Sequence, residues 1–429
     1  ANLRATQRAN HRYHLMAMPT VSVSLELNNL EAGEFIVGTS LVGGADLIGD
    51  GLSDLKSYAT RCSIRRGRWG ALYEDFEAAN ISVTLNNETR LFDPTYVPGI
   101  HYGDLVPSRA IEVQVGGVTL VTGFVEDYDL EYDVSGRSVA VLKATDALGR
   151  LSAIQFDAWT STSLNAAGKI SAVLDRPEVA WSSVLRDLLG ATVLLSGITV
   201  PVPLQSDAVT WGSNCLGYLR LIARSDWLSW LFASATGSVT LRPVFKWATT
   251  SNTWNPGAAV ATFGGAGIAF QGIRAQYGSE TMFSEVSVDF LGGTAQTATV
   301  ANLPAWQVTY GPPRRLSPPE TLIGAHSGNA SGDFPLTAAA VALKLAQDLL
   351  AYYDTPTYRI TEITVELAAL GTTDQTTVLS IDISEPITIS FTPNNLGSAI
   401  TQTLIVQGIA HEITPDSHVV TFSVIDYLI

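Results

Sequence analysis

The strongest constraint on the fold of this chain is a short segment with the pattern of a β-strand followed by a turn. Ile81, Val83 and Leu85 are apolar and alternate with polar residues, and this period of two is typical of a half-buried strand. Asn86 and Asn87 come next, and asparagine side chains hydrogen-bond their own backbone and tolerate left-handed conformations. We therefore predict a strand that ends in a tight turn at this pair.

A second turn signal follows within a few residues, at Phe92, Asp93 and Pro94. An aspartate directly before a proline favours the start of a turn, and the proline ring fixes its own backbone torsion. We predict that these residues close the loop after the strand.

Length and composition indicate a multidomain protein with few surface charges. The chain has 429 residues, enough for two to four domains. Charged residues make up 15% and apolar residues 46%, whereas roughly 25% charged is typical. A charge-poor surface is expected where subunits pack together, but a β-rich protein with many threonines, serines and glycines has the same composition. Both interpretations stay open at this point.

The net charge of −15 argues against a protein whose main function is to bind phosphates. The apolar run 188–206 contains Pro201 and Pro203 and lacks helical continuity, so we predict no membrane span and no stable membrane anchor. The first 14 residues are polar and no apolar signal-peptide core follows them, so we expect a protein made and kept in a cytoplasm. Cys62 and Cys215 lack metal-site spacing and are expected to be buried thiols.

Periodicity divides the chain into an arm and three regions. After an arm of residues 1–20, alternation predicts strands at 21–27, 81–85, 110–115, 120–127 and 138–144, and Gly116-Gly117 predicts a hairpin between two of them, so that 21–155 forms one β-barrel-like unit. Region 156–335 is predicted to be α+β, with helices at 181–189 and 213–228, a hairpin over 230–243, and short strands at 285–290 and 306–310. Region 336–429 begins with a helix to residue 350, and strands follow at 359–367, 386–392, 401–411 and 419–425.

Motifs at both ends of the chain resemble one protein family. The order Arg65-x-Gly67-Arg68, Phe76-Glu77-Ala78, the strand to Asn87, and Arg90-Leu91-Phe92-Asp93-Pro94 is similar to the first β-domain of hub-type minor tail proteins of long-tailed, non-contractile bacteriophages. The run Val406-Gln407-Gly408-Ile409-x-His411-x-Ile413-Thr414-Pro415 resembles their C-terminal tube-like domain. The chain departs from the family pattern at Ala79, where glycine is usual, and at Asn86, where aspartate is usual.

This resemblance implies a mainly β fold with an α+β middle region, in which two tail-tube-like β-barrel domains plus insertions form a tail hub. It implies a homotrimer whose six barrels surround a channel, which adapts sixfold to threefold symmetry at the virion tail tip. The implied partners are the distal tail protein, the tape-measure protein and downstream tip or fibre proteins. The hub would line or close the DNA channel, DNA would pass without specific binding, and assembly would take place in the bacterial host cytoplasm.

The candidate site residues are structural. Arg61, Arg65, Arg66 and Arg68 form the one basic cluster outside the arm, and we predict that they pair with acids of another subunit. The family-like turn residues are Asn86, Asn87, Phe92, Asp93, Pro94, Gly408, His411 and Pro415, and His411 is expected to cap a turn with Thr414 and Pro415.

No catalytic, cofactor-binding or metal-binding residue is predicted, and no enzyme activity or cofactor is expected, because the sequence lacks a P-loop, a nucleophile elbow and a zinc-protease motif. Two alternatives remain open. A hexameric distal tail protein is also β-rich, and a tail-associated cell-wall hydrolase would need paired acids such as Glu126, Asp127 and Asp129. The other interpretation of these acids is a solvated strand edge, where charge prevents unwanted pairing.

Overall fold

The computed structural model describes residues 18–27, 52–162, 164–180, 186–188, 192–195, 198–201, 204–210, 212–226, 228–242, 257–279, 282–318, 321–324 and 337–426. Most of the predicted N-terminal arm and the first part of the predicted helix 181–189 lie outside these residues.

The strands are β1 (Val21–Glu26), β2 (Leu52–Asp54), β3 (Ala59–Gly67), β4 (Glu77–Asn86), β5 (Ala110–Val115), β6 (Val118–Tyr132), β7 (Ser138–Thr145), β8 (Trp159–Ser161), β9 (Arg186–Leu188), β10 (Thr192–Leu195), β11 (Ile198–Pro201), β12 (Asp207–Val209), β13 (Trp230–Ala233), β14 (Val239–Arg242), β15 (Ala261–Phe263), β16 (Gly272–Gln276), β17 (Glu285–Val288), β18 (Gln296–Thr299), β19 (Arg315–Leu316), β20 (Arg359–Glu366), β21 (Pro386–Phe391), β22 (Ile400–Thr414) and β23 (Ser417–Asp426). The α-helices are α1 (Ala147–Ser152), α2 (Ala166–Leu174), α3 (Pro177–Ala180), α4 (Cys215–Ser225), α5 (Leu303–Tyr310), α6 (Ala338–Tyr353) and α7 (Thr372–Ser380).

One sheet of 13 strands dominates the fold and contains strands from both ends of the chain. Its order is β16-β20-β23-β22-β3-β4-β7-β6-β5-β1-β2, and β21, with β15 beside it, pairs with the first half of β22. The predicted strand at 81–85 is confirmed as part of β4, where Ile81, Val83 and Leu85 are fully buried and the intervening side chains are partly exposed. The mainly β fold class is therefore confirmed.

The N-terminal strands form a nearly closed unit. β2 is at one end of the path β3-β4-β7-β6-β5-β1-β2, and residues 55–58 connect it directly to β3 at the other end. The predicted hairpin at Gly116 and Gly117 is confirmed between β5 and β6, and both glycines have positive φ angles of 59° and 81°. Two consecutive residues with positive φ match the twist that a two-residue hairpin requires, and glycine adopts them without strain.

The C-terminal strands extend the same sheet. β22 and β23 form a long hairpin, β20 pairs with β23, and β16 pairs with β20. Strands β15 and β16 come from residues assigned by sequence to the middle region, so the C-terminal sheet begins before residue 336. Helix α6 contributes a fully buried face that includes Val341, Leu345 and Leu349, and it packs against the small sheet β18-β17-β19.

The rest of the middle region has its own apolar core. Helices α1, α2 and α4 meet strands β13 and β14 there, with Ile170, Leu219 and Leu241 fully buried. Two sequence predictions differ from the structure, and one helix was not predicted. Residues 306–310 belong to helix α5 rather than a strand, because Asn302 caps its first turn and Pro304 favours a helix start. Residues 186–188, which were predicted to be helical, form strand β9, which pairs in parallel with β14. Helix α7 was not predicted, because its sequence has no apolar periodicity.

Candidate functional site: the seam between the two halves

The N-terminal and C-terminal strands meet at one strand pair, which we call the seam: β3 paired with β22, from Gly67 opposite Gly408 to Cys62 opposite Ile413. The two backbones approach closely at the glycines. Gly67 has a φ of +90°, and a Cβ there would lie 2.4 Å from the carbonyl oxygen of Gln407. Glycine is therefore required at this end of the seam, because any side chain would meet backbone atoms.

Arg68 connects β22 to the segment between β3 and β4. Its Nε and Nη2 donate to Oε1 of Gln407 at 3.1 and 3.0 Å, and its Nη1 donates to the carbonyl oxygens of Leu72 and Glu74 at 2.6 and 3.0 Å. The guanidinium lies 4.8 Å from the ring centre of Phe76. Burial lowers the pKa of Arg68 to about 10. Because this pKa is still well above 7, the guanidinium is charged at neutral pH.

Arg66 forms a second buried contact between the two halves. Its Nη2 lies 2.7 Å from Oδ1 of Asp382, and 3% of its side chain is exposed. Arg66 and Arg68 were predicted to contact another subunit. The structure corrects this prediction, because both side chains are buried in the interior of their own chain, where Arg66 pairs with Asp382 and Arg68 binds Gln407.

Arg61 and Arg65 lie on the opposite, exposed face of β3. Arg61 pairs with Glu412 at 3.2 Å across the seam, and the Arg65 guanidinium lies 4.4 Å from the ring centre of Trp69. Alternation along the strand explains the split, since Arg61 and Arg65 face solvent where Cys62 and Arg66 face the core. Of the four arginines, only Arg61 and Arg65 therefore remain predicted contacts with another subunit.

The predicted turn residues form one compact loop after β4. The Asn86 carboxamide accepts a hydrogen bond from the backbone N–H of Glu88, and Asn87, which is buried, accepts one from that of Phe92, both at 2.9 Å. Phe92 is fully buried, and half-buried Pro94 follows Asp93.

Asp93 is the centre of this loop. Its carboxylate accepts from the Thr95 backbone and hydroxyl at 2.9 and 2.7 Å, from Tyr132 at 2.6 Å and from Arg90 at 2.5 Å. Burial alone would raise the pKa of Asp93, but the hydrogen bonds from Thr95, Tyr132 and Arg90 outweigh it and hold this pKa well below its usual range.

His411 does not cap a turn, as the sequence had suggested. It lies within β22, is 2% exposed, and its Nδ1 is 3.1 Å from Nε2 of His418 on β23. Pro415 is exposed in the two-residue connection between these strands. Burial, followed by the neighbouring His418 and Arg66, lowers the pKa of His411 well below its usual value, and burial lowers the pKa of His418 to about 4. Both imidazoles are therefore neutral at pH 7.

The described part of the chain contains no group of three or more histidine, cysteine or acidic residues arranged to hold a metal ion. Cys62 and Cys215 are both buried free thiols, as predicted. Within the same residues, no helix is long and apolar enough to cross a membrane.

Glu126, Asp127 and Asp129 are exposed on the second half of β6. Strand β5 pairs with β6 only as far as Phe124, so these acids follow a strand edge that has no paired strand on that side in the described residues. Asp129 pairs with Lys143 at 2.9 Å across the β6–β7 hairpin. The arrangement matches a charged strand edge rather than a cleft with convergent acids.

A cleft of about 850 Å³ opens beside the seam. Its wall includes Trp69, Tyr352 and Arg359, and its rim includes Arg274 on β16. The Trp69 indole N–H and the Tyr352 hydroxyl are buried without a hydrogen-bond partner among the described residues. Nothing in this wall pairs a nucleophile with a base.

Sequence reasoning missed three residues that hold the seam together. Gln407 accepts from Arg68 and donates from Nε2 to Gly70 and to Ser423, both at 3.2 Å, and the Tyr353 hydroxyl accepts from the Leu72 backbone N–H at 3.0 Å. Asp382 is the third, through Arg66. Their partners are 16 to 339 residues away, so no local pattern could have identified them.

Comparison with known proteins gave matches of structure only. No protein-family model matches the sequence, and no curated protein does. The tail protein of Neisseria meningitidis MC58 superposes with a TM-score of 0.57 at 12% identity, covering 95% of this chain and 96% of that chain. The 43 kDa tail protein of prophage MuSo2 from Shewanella oneidensis superposes with a TM-score of 0.54 at 14% identity, covering 95% and 98%. At these identities the likeness establishes a shared fold, over almost the full length of both proteins.

Proposed function

We propose that this chain is a structural protein of a bacteriophage tail that forms the hub at the tail tip. The observation that carries the proposal is the full-length fold match with two tail proteins, one of them from a prophage, each covered to at least 96%. A match of this extent accounts for all regions of the chain, including the middle one. The family-like motifs at residues 65–94 and 406–415 support the same assignment, because they lie on the two sides of the seam.

In this proposal three copies form a ring that joins the tail tube and the distal tail protein to the host-contacting tip. The ring would assemble with the tape-measure protein and downstream tip or fibre proteins, and would line or close the DNA channel. The net charge of −15 fits a channel through which DNA passes without binding, because like charges repel.

The proposal assigns no chemical reaction to the chain. Replacing Glu126, Asp127 and Asp129 together by their amides tests the hydrolase alternative, and all three are exposed, so folding should be unaffected. The purified protein is expected to leave peptidoglycan intact both before and after the replacement. Release of soluble cell-wall fragments that disappears with the amides would support the hydrolase instead.

The native mass of the purified chain tests the stoichiometry. We expect a trimer of three times 45.7 kDa by native mass spectrometry at tens of micromolar protein. A hexamer would support the distal tail protein instead. A monomer at that concentration would contradict a hub that assembles by itself.

A further inference from the structure

Among the strand edges that have no paired strand in the described part of the chain, two occur at equivalent positions of the large sheet. β16 pairs with β20 on one side only, and it ends the path of the large sheet. Residues 126–132 of β6 pair with β7 on one side only, because β5 ends opposite Phe124. Exposed strand edges present unpaired backbone N–H and C=O groups and are ready to pair with another chain.

The two halves of the sheet are copies of one pattern. In the first half, β5 pairs with the start of β6, β6 turns into β7, and β7 pairs with β4; in the second, β21, β22, β23 and β20 repeat these steps. Both long strands contain one extra residue at the same step, Glu126 in β6 and Gln407 in β22, each just after a valine.

The repeat extends to single hydrogen bonds beside the bulges. The Ser108 N–H donates to the carbonyl of Val125, and the Ser384 N–H donates to that of Val406, at 2.7 and 2.8 Å. Both serines have positive φ, 72° and 76°. Serine rarely adopts this conformation, so its occurrence at equivalent places fixes the alignment of the halves.

This alignment assigns a counterpart to each strand at the seam. β22 corresponds to β6, and β3 corresponds to β16, because β3 pairs with β4 as β16 pairs with β20. In one half the edge of β22 past its bulge is covered by β3. The equivalent edge of β6, residues 126–132, has no paired strand. The strand that corresponds to β3, and would therefore cover this edge, is β16, whose own outer edge is also unpaired.

We propose that β16 of one copy pairs antiparallel with residues 126–132 of β6 in the next copy, and so repeats the seam between subunits. The inference rests on the proposed assembly of the chain with itself, and it identifies the surfaces. Within one chain the two edges are separated by six strands of the β6-β7-β4-β3-β22-β23-β20-β16 path and do not pair with each other, so the proposed pairing joins different copies.

The seam also sets the register of the new pair. Glu412 is opposite Ser63 in the seam, and its carboxylate accepts from the Ser63 hydroxyl at 2.5 Å. Glu131 and Glu412 correspond, because each lies five residues after the extra residue of its strand. Arg274 corresponds to Ser63, because its partner Glu362 has the same place on β20 that the partner of Ser63 has on β4. The proposal therefore places Glu131 opposite Arg274, an acid opposite a base on the exposed face of the sheet.

The charges on the two edges favour pairing of β6 with β16 over pairing of β6 with a second β6. The outward side chains of this half of β6 include Asp127, Asp129 and Glu131, which would repel a second β6. Arg274 on β16 is 63% exposed, pairs with Glu362 of its own chain at 3.2 Å, and supplies the opposite charge. Because the two surfaces differ, the contact is head to tail, and such contacts close into a ring only at a fixed number of copies. Three copies bring together six repeats of the pattern.

A disulfide tests the register. Directly opposed residues in an antiparallel pair have Cα atoms about 4.5–5.5 Å apart, within the range that a disulfide spans. In the full chain, Glu131→Cys combined with Arg274→Cys is expected to give covalent dimers and trimers on mild oxidation. Cys62 and Cys215 are buried and should not react. Two kinds of control are expected not to form this ladder of cross-linked dimers and trimers. The first is each single cysteine variant, and the second is Glu131→Cys combined with Arg315→Cys at an exposed position of β19.

The result separates this proposal from the proposed function. A ladder that ends at three copies supports both, whereas one that continues past three supports the edge pairing and contradicts the trimer. A wild-type trimer by native mass with no cross-link in the double variant overturns the edge pairing and leaves the hub intact. A monomer without cross-links overturns both.

A charge exchange gives an independent check. Arg274→Glu places two acids opposite each other and is expected to shift the native mass from trimer towards monomer. Adding Glu131→Arg to the same chain restores one opposite pair at every interface and should restore the trimer. Arg315→Glu is the matched control and should leave the mass unchanged. A trimer that survives Arg274→Glu unchanged would count against the pairing.

Discussion

At the residue scale, the seam depends on residues that other residue types do not replace without loss. Gly67 and Gly408 allow two backbones to touch, and Arg68 holds four hydrogen bonds from a buried position. Sequence analysis identified Gly67, Arg68 and Gly408 as members of family-like motifs, but it could not identify their contacts, because their partners come from the other end of the chain.

Replacing Gly67 by alanine should strongly destabilise the protein. The new Cβ would lie 2.4 Å from the Gln407 carbonyl oxygen and would also need a φ of +90°. We expect a loss of about 3 kcal/mol in the free energy of unfolding, measured by urea denaturation. Gly136→Ala is the control, since Gly136 has a φ of +87° with nothing within 4 Å. Gly136→Ala should lower the free energy of unfolding by only about 1 kcal/mol, the cost of placing alanine in a left-handed backbone conformation. Equal losses in the two variants would disprove the close contact.

Arg68→Lys should be far more costly than Arg65→Lys. Lysine cannot reproduce the planar fork that reaches Gln407 and two carbonyl oxygens, so buried acceptors lose their donors. We expect a loss of roughly 3 kcal/mol for Arg68→Lys, by thermal and urea denaturation, and less than about 0.5 kcal/mol for exposed Arg65. Similar losses would show that the buried network contributes little.

The His411–His418 pair should make stability depend on pH. Burial depresses the folded-state pKa of both residues below the unfolded value near 6.5, to about 4 for His418. The unfolded chain therefore binds more protons below pH 6.5, and stability is full above that pH and falls as the pH drops towards 4. The slope should reach about 1.4 kcal/mol per pH unit for each histidine.

Urea denaturation between pH 7 and pH 4 measures this slope. The variant His411→Gln/His418→Gln lacks both groups and should show a flatter profile. Acids whose pKa is raised by burial, such as Asp146 and Asp426, contribute with the opposite sign but are present in both proteins. Parallel profiles would therefore contradict the assignment.

At the element scale, strands with clear alternation and the long apolar helix followed the sequence. β4, β5 and β7 lie where the period of two predicted them, and α6 begins after its N-cap Thr337, at the start of the region predicted to open with a helix. Short elements without apolar periodicity were missed: α5 was predicted as a strand in spite of its Asn302 cap, and α7 was not predicted at all. In short segments, caps and pairing partners decide the structure, and periodicity carries little information.

Thr337 should stabilise α6 as its N-cap. Its hydroxyl accepts a hydrogen bond from the Ala340 backbone N–H at 3.2 Å. Thr337→Ala leaves this N–H without its partner and should lower the free energy of unfolding by about 1 kcal/mol. Thr376→Ala, at an exposed position within α7, is the control and should change stability little. A loss at Thr376 as large as at Thr337 would argue against the capping role.

At the scale of the whole molecule, the seam joins what the sequence had divided into separate regions. Strands from residues 59–145 and 359–426 share backbone hydrogen bonds through β3 and β22. Fluctuations that open the seam should therefore expose both halves together.

Hydrogen exchange can detect this coupling. In Gly408→Ala, where a Cβ would meet the Arg68 carbonyl oxygen at 2.6 Å, amides of β4 and of β23 should both exchange faster. The Gly136→Ala variant should leave both strands protected. Loss of protection confined to one half would indicate that the halves open independently.

The sequence by itself determined the β character of this chain, most of its long strands, the tight turns at Asn86 and Gly116, and the motifs that identify the fold. These features follow from local periodicity and from the backbone preferences of asparagine, glycine and proline. Only the tertiary structure decided that Arg66 and Arg68 are internal, that His411 pairs with His418, and that β15 and β16 join the C-terminal strands. These outcomes depend on which strands pair and in which register, because strand pairing is set in three dimensions, and local sequence does not encode which edges meet.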